Sequence, residues 1–102
     1  MNRIDQLKEF LKDKPKDCFL RHALALELAK AGEAEQAKNL FKTILSEFPE
    51  YIASYYPLGK LLEQMDLADE ALAVYEQGTQ QARKAGDQHT LSELRSAIDL
   101  MD

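Results

Sequence analysis

A chain of 102 residues, 45% of them hydrophobic, has material for one core and no room for a second domain. Its 18 acidic against 13 basic residues leave a formal charge of -5, without the basic excess from which sequence-independent nucleic-acid binding draws its affinity. No apolar run approaches the roughly 18 residues of a membrane span, the start MNRIDQLKEF carries charges where a secretory signal is apolar, and a lone Cys18 excludes an internal disulfide, so the expected setting is the reducing cytoplasm.

Ala, Leu, Glu, Lys and Gln dominate, and apolar residues recur three and four apart, which predicts helices throughout. Ile4, Leu7, Phe10 and Leu11 form a first stripe that ends before Pro15 in the polar break DKPKD. Phe19, Leu20, Ala23, Leu24 and Leu28 form the second, up to Gly32, where glycine can take the left-handed conformation that stops a helix. The third, Ala37, Leu40, Phe41, Ile44 and Leu45, stops near Phe48 because Pro49 biases its predecessor away from helix. A fourth is expected from about Ser54 to Met65, and a fifth from about Ala68 to Ala85 with Gly86 as its stop. The last holds Leu91, Leu94, Ile98 and either Leu100 or Met101. Either Asp87 or Thr90 caps it, and Thr90 with Glu93 has the capping-box spacing. Six helices on such short connections are predicted to be stacked antiparallel neighbours.

Slid against itself by 34 residues, the sequence registers. Leu24 falls on Leu58, Ala25 on Gly59, Leu28 on Leu62, Ala37 on Ala71 and Phe41 on Tyr75, large on large and small on small. The register runs backward as well, with Leu7 on Phe41, Phe10 on Ile44, Leu11 on Leu45 and Pro15 on Pro49, so the first helix is half a unit. A fixed period of this length marks stacked units that share a continuous core.

The pattern L-A/G-x-x-L, then A-x-x-x-F/Y, then Pro, at a 34-residue period, resembles the tetratricopeptide repeat. The resemblance implies an all-α fold of antiparallel helix pairs, stacked as a short right-handed superhelix of about six helices. About two and a half repeats are expected in one domain over 1–102. They divide into an N-terminal half repeat at 1–16, repeats at 18–51 and 52–85, and a capping helix at 87–102. Ala25 against Ala37 and Gly59 against Ala71 would be the close helix crossings, with Phe41 and Tyr75 filling the gaps. The chain departs from the family pattern at Arg21, where a large aromatic is usual, and at Arg83, where proline is usual; the second departure predicts that the fifth helix runs on. The starting Met1 and the polar last helix give the expectation of a complete small chain.

Chemistry finds little footing. Cys18 and His22 share a helical face, with His89 far along the chain, but a structural zinc site takes four ligands, and no glycine-rich turn supplies an oxyanion site for a thiolate nucleophile. The four glycines are scattered, and Asp69, Glu70, Glu33 and Glu35 fall near helix starts, where they complement the helix dipole. The expectation is therefore no enzyme, no cofactor and no metal, with a metal or thiol site at Cys18 and His22 as the remote alternative. The basic run from Met1 to Lys16 and the acidic run from Leu61 to Ala82 read as solvated faces.

What remains is a surface. In the family the first helix of each pair lines a concave groove, which here implies Phe19, His22, Ala23, Leu26 and Lys30 from one unit. The other contributes Ala53, Tyr56, Pro57, Lys60, Glu63 and Gln64. Phe19, Leu26 and Tyr56 would form an apolar strip with His22 and Lys60 beside it, suited to a partner segment with one or two hydrophobic side chains and an acidic group. Members that grip the C-terminal carboxylate of heat-shock chaperones place Lys, Asn and Arg in the groove; His22, Leu26 and Pro57 stand there instead, so that role is not expected. The expected function is a scaffold or adaptor that binds a peptide or protein segment, with no nucleic acid and no membrane. The competing expectation is self-association as a homodimer, and the groove is either open or covered by the terminal helix or by a second copy.

Overall fold

The computed structural model describes residues 2–101; Met1 and Asp102, the outermost positions of the expected domain, lie outside the described residues. Six α-helices follow one another: α1 (Arg3–Asp13), α2 (Cys18–Lys30), α3 (Ala34–Glu47), α4 (Tyr55–Gln64), α5 (Ala68–Ala85) and α6 (Gln88–Asp99). A 3-10 turn, Ile52–Ser54, leads into α4. Asn2 starts α1 by accepting a hydrogen bond from the Asp5 N–H at 2.8 Å, and Asp17 starts α2 in the same way from the Leu20 N–H at 2.9 Å. Of the two candidates for the start of α6, Asp87 is the cap. Its carboxylate accepts from the Thr90 N–H at 3.0 Å and from the Thr90 hydroxyl at 2.9 Å. Those hydrogen bonds, led by the one from the Thr90 backbone, hold the Asp87 carboxyl below the usual range.

Three helices close alike. Backbone N–H groups of Glu33, Leu67 and Asp87 reach back to the carbonyls of Leu28, Leu62 and Ala82, each at 2.9 Å, across a residue of positive φ: Gly32, Asp66 and Gly86. These are Schellman closures, which satisfy carbonyls that the helix leaves without partners. With arginine rather than proline at position 83, α5 runs on to Ala85, as expected, and is longer than α3 by more than one turn.

The core forms where α2 packs on α3, α4 on α5 and α5 on α6, with α1 against α2. Ala25, Ala37, Gly59 and Ala71 are all buried at the crossings, and Phe41 and Tyr75 are fully enclosed between them. A Cβ built on Gly59 would overlap the Tyr75 ring, so the helices approach that closely only because the side chain is missing. Arg21, the departure from the usual aromatic, is 5% exposed. Its guanidinium donates to Glu47 at 3.3 Å and to the Lys16 carbonyl at 3.5 Å and lies over the Phe48 ring. On Glu47, partial burial raises the carboxyl pKa, but Lys16 and Arg21 together outweigh it and bring the value down. At the far end α6 buries Leu91, Leu94 and Ala97 and turns Gln88, His89, Ser92, Glu93 and Arg95 outward, so the stack ends on a polar face.

Candidate functional site

Two first helices, α2 and α4, leave a depression of about 410 Å³ between them. Ala23, Leu26 and Lys30 line it from α2 and Tyr56, Pro57, Lys60 and Gln64 from α4, all of them positions that the family resemblance implied for the groove. They meet because residues three and four apart share one helical face. Leu26 is 37% exposed, open enough to be touched and buried enough to be fixed. Pro57 falls in the first turn of α4, where a missing N–H is tolerated.

The other assigned residues stand elsewhere. Phe19 is 67% exposed and lies outside this depression, beside Phe10 at the opposite end of α2. His22 is half-buried, with Nδ1 2.8 Å from the Ser54 hydroxyl and its ring edge-on to Phe41 and Tyr51, and this burial lowers its pKa. Glu63 is not on the lining, and its carboxylate accepts a hydrogen bond from the Tyr75 hydroxyl. Burial first, and that carboxylate second, push the Tyr75 pKa well above the ordinary value, so the phenol stays a donor at any physiological pH. Ala53 is exposed and lines no part of the depression.

The walls are charged and the floor is not. Lys60 sits 6.0 Å above the Tyr56 ring and 3.8 Å from Glu63, and Lys30 is 3.6 Å from Glu27. Arg3, at the start of α1, lines one side, so Arg3, Lys30 and Lys60 stand against two carboxylates, Glu27 on the lining and Glu63 beside Lys60. Buried Phe41 and Leu61 supply the floor. Arg3 and Glu27 went unassigned in the sequence reading for different reasons. Arg3 belongs to the half unit, for which the period offers no groove helix, whereas Glu27 follows Leu26 and its place at the rim is legible only once α1 lies alongside. Such a surface can hold an apolar side chain and an anionic group together.

Cys18 is half-buried against the core, and among the described residues no group of three or more His, Cys, Asp or Glu side chains comes together in a way that could hold a metal ion. No helix of the described chain is long and apolar enough to cross a membrane.

The tetratricopeptide repeat profile matches residues 28–94. A solution structure of a tetratricopeptide repeat domain protein from Salinibacter ruber is 42% identical over 86% of this chain and 89% of its own, with a TM-score of 0.83. A crystal structure of a tetratricopeptide repeat domain protein from the same organism is 42% identical over 83% of this chain and 94% of its own, with a TM-score of 0.79. A Bordetella parapertussis protein solved in solution shares the fold at 23% identity over 99% of this chain and 88% of its own, with a TM-score of 0.85. No curated protein matches the chain at a significant level.

Proposed function

The chain belongs to the tetratricopeptide repeat family, an all-α solenoid whose members generally bind other proteins, and from that premise we propose a non-catalytic scaffold or adaptor that holds a peptide or protein segment between α2 and α4. The observation that carries this reading is the α2–α4 depression itself: Leu26 and Tyr56 over an apolar floor, with three cations against two carboxylates. It favours a segment that offers an apolar anchor next to an acidic group. In this reading 18–51 and 52–85 are the two repeats, 1–16 is the half repeat, 87–102 is the cap, and the setting is cytoplasmic.

Replacing Leu26 and Tyr56 together by Ala is expected to lower the affinity for a bound segment at least about tenfold, the scale of a lost apolar anchor. Circular dichroism should show unchanged helicity, because neither residue is a fully buried core position. Undiminished binding by that variant would sink the proposal.

A second reading, a homodimer in which another copy covers the depression, draws on Leu100, which is 84% exposed beyond α6. Light scattering across a dilution series decides it: a mass that stays monomeric counts against the dimer.

A further inference from the structure

The apolar track does not end at the α2–α4 depression. Phe19, Ala23 and Leu26 follow one face of α2, so Phe19 and Leu26 stand two turns apart, about 10.5 Å along the axis. Phe19 opens, together with Phe10 of α1 at 54% exposure, onto a second hollow of about 380 Å³ walled by Asp13, Lys14, Asp17 and Leu20. Charge reverses between the two hollows. Arg3, Lys30 and Lys60 outnumber Glu27 at the Leu26 end, whereas Asp13 and Asp17 outnumber Lys14 at the Phe19 end.

We propose that the groove takes an amphipathic helix laid antiparallel to α2, with two large apolar side chains seven residues apart, one in each hollow, acidic residues in its first turn and basic residues in its last. The inference rests on the reading of the α2–α4 depression as the binding site. Three physical arguments select this occupant. A helix presents residues i and i+7 on one face at about 10.5 Å, the axial spacing of Phe19 and Leu26 along α2. A strand repeats its side chains on one face at about 7 or 14 Å and would miss one hollow. Carboxylates stabilise a helix at its N-terminus and cations at its C-terminus, so the acid end that meets Arg3, Lys30 and Lys60 is the N-terminal end, and the direction follows.

The test uses the full chain against a displayed library of random 16-residue peptides. The strongest binder is then synthesised and titrated against the wild type, Phe19→Ala and Leu26→Ala, with circular dichroism as the control for folding. The expected consensus has acids, an apolar residue, six residues of any kind, a second apolar residue, then bases. Each substitution should weaken binding about tenfold or more. A nitroxide at the peptide N-terminus should broaden the amide signals of Lys30 and Lys60 more strongly than that of Phe19. A one-anchor consensus that is lost in Leu26→Ala but indifferent to Phe19→Ala overturns the two-hollow helix and leaves the groove standing. A proline-rich consensus with three-residue spacing, or broadening at Phe19 instead of Lys60, also overturns it. A library that yields no binder, or a binder indifferent to both substitutions, overturns the groove reading as well.

Discussion

Gly32 and Asp66 stand 34 residues apart, at the same step of the register, and both take positive φ, 82° and 61°. For glycine this costs no steric strain, whereas for aspartate the left-handed region costs about 1–2 kcal/mol. Asp66→Gly is expected to raise stability by about 0.5–1 kcal/mol, since the relief exceeds the extra freedom that glycine returns to the unfolded chain; a urea midpoint series checks it. The break between about Met65 and Ala68 was legible from the apolar stripes on either side, although the glycine signal that marks the first closure has no counterpart in the second. Gly59 was easier: the resemblance implied a close crossing there against Ala71 with Tyr75 filling the gap, and the structure sets the Tyr75 ring directly over it.

At the same scale His22 sets a pH dependence. Burial holds its folded pKa below the ordinary 6.5, so the folded state resists a proton that the unfolded chain accepts. Its contribution is complete above 6.5 and is lost as pH falls through that value toward the lowered folded pKa. The urea midpoint should therefore be lower at about pH 5 than at about pH 7.5, and His22→Gln should flatten part of that slope.

At the scale of elements, helix ends were legible wherever a chemical stop was present: Pro15, Pro49, Gly32 and Gly86 each lie just past a helix terminus. The start of α6 was not, because Asp87 and Thr90 are both competent caps three residues apart. The structure employs both, one as cap and one as its donor. Asp87→Ala removes the acceptor from the first turn and is expected to cost about 1 kcal/mol. Amide exchange should rise first over Thr90 to Leu94, where the first turns of α6 lose their anchor.

Taken as a whole, the molecule measures 40 × 29 × 20 Å and its helices meet mainly their neighbours in sequence, so stability accumulates from the middle outward. Amide exchange should be slowest around Phe41, Leu58 and Leu62, which are enclosed by helices on more than one side, and fastest in α1, which has a single strong neighbour. A ranking with α1 the slowest would contradict the nearest-neighbour picture. The site was half legible at this scale. The family resemblance implied the α2 and α4 residues that line the depression, but it implied nothing for Arg3, whose position depends on α1 folding back along α2.

The two ends of the stack are unlike: α1 leaves Phe10 open beside Phe19, while α6 turns a polar face outward. Filament growth needs a donor end and an acceptor end that fit each other. A contact that the Phe10 and Phe19 patch makes with its own copy is face to face, about a two-fold axis, and such a pair uses up the surface that formed it. Association through that patch therefore closes on itself, and the exposed phenylalanines do not commit the protein to open-ended polymerisation.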